Sequence, residues 1–583
     1  MFYIFENGTQ KYTASVTVPS GGSVNAGTFG TATVSAKSGV MLQGFNWSSA
    51  DRANLTSTQN KWYTVMQGRA NDIKDTFEYV WFPPPSKCPS FSPEGYIPTE
   101  LNDLNSYYGT SAQLTATIAA IQPAKAIADI VVNHRGGFSS WGDFKNPQWT
   151  EDYYSICSGD EGFTNSGSDP MNGSTKKGAA DTGENYADAR DLDHTNTAVQ
   201  NGIISWMNNY LKTIGFVGWR YDFVKGFGGT YVGQYNTATS AEFSVGEFWP
   251  TNTYEYSNSS NWSNQIVNWI NATSNNGVKS RAFDFVLKGN FQTAFSDTRY
   301  DLLADSNAIF RRLPAQAVTF VDNHDTGSTQ SHWPVPTSHV GKAYVFILTH
   351  PGYPTVAWQH YFTAAECGVS SYGTSADIAQ YMGGTTVSGT SKTHRQHIDY
   401  LIELRKELGI EYDSSISVLS STTTCYAAKI TGANGELVVK LGPSTSYSPT
   451  GDGYTGNNPV YSGNDFAIWV KGEDGDDNGG GDNPTTVTLK MTKDVGFGNA
   501  LYFTGSYNEG SNWTVATRGT YDDAGYWHVT VTPPSGGNFE WKVLKGTYDL
   551  GTSVNSPFSG MTWESGTTNH DQSNLHPSFN GGF

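Results

Sequence analysis

Charge is scarce in this chain of 583 residues. Asp, Glu, Lys and Arg make up only 15% of it, against about 25% in an average globular protein. Basic residues are the scarcer sign, 35 Lys and Arg against 53 Asp and Glu, for a net charge of −18. A basic face that could track a phosphate backbone is therefore missing, which excludes non-specific nucleic-acid binding. Cysteine is nearly absent too: Cys88, Cys157, Cys367 and Cys425 lie far apart, with no C-x-x-C spacing. That excludes a zinc site or a dense disulfide framework and leaves one or two isolated bridges open. No run of about 18 apolar residues occurs, so no membrane span is expected. Residues 1–38 lack a basic start followed by a long apolar stretch, so no intact signal peptide is visible.

Rings and glycine are abundant instead: 17 Trp, 33 Tyr, 30 Phe and 64 Gly. Flat ring faces on a weakly charged chain suit neutral ligands such as sugars, although the same rings suit a core. The length accommodates several domains at roughly 100–200 residues each.

Eight apolar, β-branched or aromatic runs read as strands: Val40–Trp47, Phe77–Pro85, Ala126–His134, Gly215–Phe223, Ala241–Trp249, Ser280–Leu287, Gln316–His324 and Pro354–Tyr361. Helix-period stretches lie between several of them. In 197–215 the residues Val199, Ile203, Met207, Tyr210, Leu211 and Ile214 share one predicted face. After the eighth run, Ile398, Leu401, Ile402 and Leu408 do the same. Near-continuous apolar strands alternating with helices predict an α/β fold, a parallel (β/α)8 barrel over residues 39–409. The interval between the third and fourth runs is too long for one crossover and opens with Gly, Ser, Asn and Asp. It is expected to hold a small inserted domain at about 135–193.

Beyond 409 the period becomes β-like, predicting an antiparallel β domain over 410–471. Residues 472–484 (GEDGDDNGGGDNP) read as a flexible, self-repelling linker. Residues 485–583 are again β-like and carry Trp513, Trp527, Trp541 and Trp563, which suggests a tethered β-sandwich binding module. Residues 1–38 form an N-terminal extension with no assignable role.

In parallel barrels the reactive groups sit at the C-terminal strand ends. Those ends carry Asn133 and His134, Arg220 and Asp222, Glu247, and the run Asp322, Asn323, His324, Asp325. One acidic strand end is usually a helix cap or a loop anchor; carboxylates on three strands suit glycosidic cleavage. One carboxylate serves as nucleophile or base while crowding keeps another protonated as the acid. Arg220, two residues before Asp222, faces the same side of its strand and can hold that carboxylate ionised. A two-metal phosphoryl site is disfavoured by the few lysines and the lack of a phosphate-cradling Gly loop.

The segments Asp129–His134 (DIVVNH), Gly215–Phe223 (GFVGWRYDF), Val245–Trp249 (VGEFW) and Phe320–Asp325 (FVDNHD) resemble, in order, the four signature regions of the α-amylase family. Ala189–Asn196 (ARDLDHTN) resembles the region that closes the family's inserted domain B. MLQGFNW, SPEGYIP and DFVKGF resemble the plant-type and the bacterial maltooligosaccharide-forming amylases. The resemblance spans roughly 39–472 and implies retaining hydrolysis of α-1,4-glucosidic bonds in starch. It implies Asp222 as nucleophile, Glu247 as acid/base and Asp325 as the third carboxylate. His134, Arg220 and His324 would line the same subsite, Tyr96 would stack on the sugar, and Lys225 would lie on the leaving-group side. Asn133, Asp191 and the carbonyl of Gly226 match calcium-ligand positions, an oxygen set that suits Ca2+ better than zinc; alternatively Asp191 or Asp193 caps the helix starting near Thr197.

The C-terminal residues resemble a family-twenty type starch-binding domain, with Trp513 and Trp563 as its stacking pair and Lys542 and Asn569 as polar partners. Trp527 and Trp541 read either as core or as part of a second sugar site. The resemblance implies starch and α-glucans as partners of an extracellular monomer, with no nucleic acid and no membrane. Three functions are weighed: a hydrolase of this kind, an exo-acting maltooligosaccharide-forming enzyme or transglycosylase in the same fold, and a starch-binding protein that has lost catalysis. Retention of all three carboxylates speaks against the last.

Overall fold

The computed structural model describes residues 39–50, 61–150, 153–164, 170–327, 330–369, 385–387, 390–451 and 459–471, together with Tyr454, two short paired strands (Phe2–Glu6 and Thr9–Ala14) and interrupted stretches of 487–583. Most of the extension 1–38 and all of the linker 472–484 lie outside the described residues. The chain divides into two compact units, residues 1–473 and 474–583.

The first unit is built on a closed barrel of eight strands. They are β1 (Met41–Gln43), β2 (Tyr79–Phe82), β3 (Lys125–Ile130), β4 (Phe216–Tyr221), β5 (Phe243–Gly246), β6 (Arg281–Phe283), β7 (Ala317–Phe320) and β8 (Tyr353–Ala357). Each is parallel to its neighbours, and β8 closes onto β1. The (β/α)8 barrel expected from the eight apolar runs is thus the observed fold. Every strand is nearly or wholly buried, as a sheet covered by helices outside and filled by side chains inside must be. Gly218 is required in β4: a Cβ there would lie 2.5 Å from the Phe243 carbonyl oxygen and 2.7 Å from Ile127 Cδ1.

The strands are shorter than the apolar runs because the runs continue into the rim. In 280–287 the Asp284 carboxylate accepts the Leu287 N–H and caps the helix Phe285–Ser296, ending β6 after three residues. In 354–361 the last four residues form a helical turn, Trp358–Tyr361. The stretch 197–215 corrects the predicted helix face. An α-helix runs over Thr197–Trp206, but Met207–Leu211 follows with π-type pairing. The wider turn changes the phase, so Tyr210 points to solvent while Val199, Ile203, Met207 and Leu211 are buried.

The insertion leaves the barrel and returns as one ribbon: His134–Arg135 pairs antiparallel with Arg190–Asp191. A seven-stranded antiparallel sheet follows the barrel, including Ser415–Thr422, Cys425–Thr431, Glu436–Leu441 and Phe466–Val470. It also takes in Thr385–Val387 and Thr390–Lys392, which precede the last barrel helix His394–Glu407. All four cysteines are free thiols, three of them buried.

The second unit consists of antiparallel sheets of three and six strands around Leu489, Tyr502, Phe503, Trp541 and Val543. Trp541 is fully buried and Trp527 nearly so. Both are core residues, which removes them as faces of a second sugar site.

Candidate active site

Strand β4 brings Arg220 to the rim, and Asp222 lies one residue beyond its end. The Arg220 guanidinium is fully buried and binds three carboxylates. Its Nη1 donates to Asp129 Oδ1 at 2.8 Å and to Asp222 Oδ1 at 2.7 Å, and Nη2 pairs with Glu247 Oε2 at 2.9 Å. A planar fork can hold three acceptors in fixed directions, which a lysine cannot. Phe223 sits in the left-handed region at φ 44°, a strained position for a residue with a side chain. That turn points its N–H at Glu247 Oε2, 3.3 Å away. Asp325, on the loop after β7, lies beside His324, with Nε2 and Oδ2 3.3 Å apart.

Crowded burial separates the protonation states. Burial pushes Glu247 up to about 7 against the pull of Arg220, and the Asp222 charge pushes the same way. Asp222 and Glu247 share a hydrogen bond that favours a proton on Glu247 and charge on Asp222. Burial also raises Asp222, with Arg220 opposing it. Asp325 is held well above the ordinary carboxylate range by burial and then by Glu247.

A chain of hydrogen bonds sets the histidine tautomer. The Gln43 side-chain amide donates to His324 Nδ1 at 2.8 Å, so Nε2 carries the proton and faces Tyr96 OH at 2.7 Å. Tyr96 in turn donates to Asp129 Oδ2 at 3.0 Å, as does Trp81 Nε1. Burial and the Arg220 charge keep His324 neutral. Tyr96, Trp47 and His324 are mutual neighbours with nearly parallel rings, the Tyr96 centroid lying 5.9 Å from Trp47 and 5.3 Å from His324. His134 Nε2 bonds the Tyr96 carbonyl at 2.7 Å, and its ring stacks on Tyr186 at 3.8 Å. Lys225 Nζ donates to Thr251 Oγ1 at 2.7 Å and lies 3.5 Å from Glu184.

The structure therefore brings Asp222, Glu247, Arg220, Asp325, His324, Tyr96 and His134 into one network. Sequence reasoning missed Asp129, Gln43, Trp47, Trp81 and Tyr186. Asp129 opens the DIVVNH segment and Gln43 lies in MLQGFNW, so their positions at strand ends were the available signal.

Asn133, Asp191 and Gly226 meet at the base of the insertion. Asn133 Nδ2 donates to Asp191 Oδ1 at 3.1 Å, and Asn133 Oδ1 lies 2.1 Å from where a Gly226 Cβ would stand. Burial raises Asp191 to about 8, and the neighbouring carboxylates Asp181, Asp160 and Glu161 push the same way. Asp181 Oδ2 is buried without a hydrogen-bond partner. A buried carboxylate oxygen without a partner, close enough to Asp191 to raise it, adds oxygen chemistry that suits a hard divalent cation. Among the described residues, however, no group of three or more His, Cys, Asp or Glu is placed to hold a metal ion. In the second unit, Trp513 and Trp563 lie 6.4 Å apart at 39°, with Trp563 42% exposed.

A parallel barrel whose rim gathers buried carboxylates, one protonated near neutrality and one ion-paired, is the machinery of a glycoside hydrolase. The α-amylase catalytic domain matches residues 72–358, and the α-amylase C-terminal β-sheet domain matches 407–470. A probable α-amylase 2 from Arabidopsis thaliana is 34% identical over 451 residues, covering 74% of this chain and 94% of its own. A glucan 1,4-α-maltotetraohydrolase from Stutzerimonas stutzeri is 27% identical over 537 residues, 87% of either chain. Another, from Roseateles saccharophilus, is 27% identical over 576 residues, 93% of either chain. The chain belongs to the α-amylase family, and its reaction is hydrolysis of α-1,4-glucosidic bonds. Among the described residues, no helix is long and apolar enough to cross a membrane.

Proposed function

We propose that the protein is a calcium-dependent, retaining amylase that degrades starch outside the cell as a monomer. Asp222 is its nucleophile, Glu247 its acid/base and Asp325 its third carboxylate. The observation that carries this reading is the pairing of Asp222 and Glu247 on one guanidinium. Two carboxyls gathered on one guanidinium suit the short separation of a retaining pair, about 5–5.5 Å, in which the enzyme itself attacks.

Glu247 gives its proton to the leaving oxygen while Asp222, kept charged by Arg220, attacks the anomeric carbon. Glu247 then takes a proton from the water that releases the sugar. Asp325, in its protonated form, hydrogen-bonds the sugar at the cleavage point, and neutral His324 lines the same subsite. Tyr96, its hydroxyl held by Asp129, stacks on the sugar, and Lys225 lies on the leaving-group side. Proton NMR of the first products tests the scheme: α-anomers appear first if configuration is retained, and β-anomers would refute it.

Asn133, Asp191, Asp181 and the Gly226 carbonyl would hold the calcium ion. When bound, it supplies positive charge to a crowded carboxylate cluster and ties the insertion to the barrel. Chelation should lower the melting temperature by several degrees and activity with it, and added Ca2+ should restore both. A chelated sample with unchanged melting and turnover would count against the ion.

Trp513 and Trp563 serve as a sugar platform in a starch-binding module, and tethering such a platform to the catalytic unit raises the local substrate concentration. Stacking is worth about 0.5–1.5 kcal/mol per ring pair, so Trp513→Ala or Trp563→Ala should weaken granular-starch binding several-fold. Turnover of soluble starch should be unchanged. Equal granule binding by both variants would refute the platform.

Two relatives that match 87% and 93% of this chain, and as much of their own, are named maltotetraohydrolases, which favours a second reading, exo release of one short maltooligosaccharide. A chromatographic time course separates the two. A ladder of sizes means endo action, and a single early product means exo.

A further inference from the structure

Behind the catalytic rim lies a buried charge pair that none of the chemistry above uses. Lys288, on the helix Phe285–Ser296 that follows β6, is fully buried. Its Nζ donates to Asp322 Oδ1 at 2.6 Å and to the Val321 carbonyl at 2.9 Å. Asp322 lies just beyond the end of β7, and its carboxylate is also fully buried. An ion pair taken this far out of water costs more in desolvation than it returns, unless its remaining bonds are well made. Here they are spent on the loop. Asp322 also accepts Thr326 Oγ1 at 3.2 Å and the Val335 N–H at 3.2 and 3.3 Å. Its carboxylate therefore ties residue 322 to residue 335 and closes the loop at its base.

One turn further along the same helix, Gln292 grips the other end. Its Nε2 donates to the Trp333 and Pro334 carbonyls at 2.7 and 2.9 Å. Lys288 and Gln292 are spaced i, i+4, so they stand on one helix face and reach the two ends of one loop. Inside the loop, Asn323 Oδ1 accepts the N–H groups of Asp325 and Thr326 at 3.0 and 2.8 Å. The Asp325 carbonyl accepts the His332 N–H at 3.0 Å. The loop that presents His324 and Asp325 to the cleft is thus fastened at both ends to a neighbouring helix.

We propose that Lys288, Gln292 and Asp322 are positioning residues, which hold the 322–335 loop so that Asp325 meets the distorted sugar of the transition state. The inference rests on the reading of Asp325 as the third carboxylate. A clamp of this kind contributes where geometry is most exacting, so its loss should reduce transition-state binding more than substrate binding.

The test uses the full-length enzyme with soluble starch and with a transition-state-like inhibitor such as acarbose. Asp322→Asn keeps the side-chain shape but weakens the grip of Lys288. It should lower kcat about 10–100-fold, on the scale expected when reacting groups are misplaced by about 1 Å. KM should stay within about twofold, and acarbose affinity should fall in parallel with kcat. Gln292→Leu, at the half-buried end of the clamp, should show the same pattern more weakly and serves as the deciding variant should Asp322→Asn fail to fold. Asp325→Asn is the reference. If it is inactive while the clamp variants keep kcat within twofold, the clamp is refuted and the catalytic reading stands. If Asp325→Asn is itself active, the catalytic reading fails and the clamp with it. Loss of activity that merely follows the unfolded fraction, with unchanged acarbose affinity in the folded enzyme, would also overturn the proposal.

Discussion

Glu247→Gln should leave a folded enzyme whose starch hydrolysis is reduced on the order of 10²–10⁴-fold, the scale of a lost general acid. Gln matches Glu in shape and can still bond Arg220 and the Phe223 N–H, so the melting temperature should move little. A substrate whose leaving group needs no protonation, such as an activated aryl maltooligoside, should recover much of its first step in this variant. Asp222→Asn should lose both substrates, because no acid is missing there and no nucleophile remains. The pH profile adds a second readout. Glu247 is raised to about 7 and must be protonated to act, so wild-type kcat/KM should fall as pH rises through about that value. The Gln variant should lack this basic limb. Near-normal starch turnover in either purified variant would sink the assignment.

Much of this site was legible in the sequence for a specific reason. Strands buried on both faces are long apolar runs, so the polar residues that interrupt their ends stand out. Arg220 and Asp222, spaced by two, had to face the same way. Asp129 was harder: it sits inside an apolar strand run and looks like an isolated core polar, and only the fold shows that it faces Arg220 and Tyr96. Tyr186 and Asp181 lie in the insertion, where no period predicts direction, and their roles come from the ribbon that brings 190–191 back against 134–135. Lys288 follows directly on the run 280–287 that reads as a strand, and nothing local reveals that it stands on a helix face covered by the β7 loop. The phase change at 207–211 is invisible to a fixed helical period, hence the misplaced Tyr210. In the sequence Trp541 stays open between core and sugar site for a related reason: composition counts rings, and burial decides which of them can meet a ligand.

Arg220→Met should produce the largest combined effect, because it removes the one cation that Asp129, Asp222 and Glu247 share. Breaking a buried pair by deleting one partner costs about 3–5 kcal/mol, since the charge left behind is neither solvated nor matched. Activity should fall at least as far as in Asp222→Asn, because the nucleophile loses the group that keeps it ionised. The stability loss should depend on pH in a definite direction. Burial already places Asp129 at about 6 and Glu247 at about 7, above the value near 4 expected in the unfolded chain. Without Arg220 these groups shift further up, so the folded state binds more protons than the unfolded one. Stability from a raised carboxyl is present below the unfolded pKa and is lost as pH rises through the folded one. The variant should therefore melt closest to the wild type near pH 5 and fall furthest behind near pH 8. Thermal melts at the two pH values check this, and an equal deficit at both would show that packing, and not charge, was lost. Arg220→Lys should recover part of the stability at pH 8, since a charge returns, but little activity, since a single ammonium cannot hold three carboxylates in fixed directions.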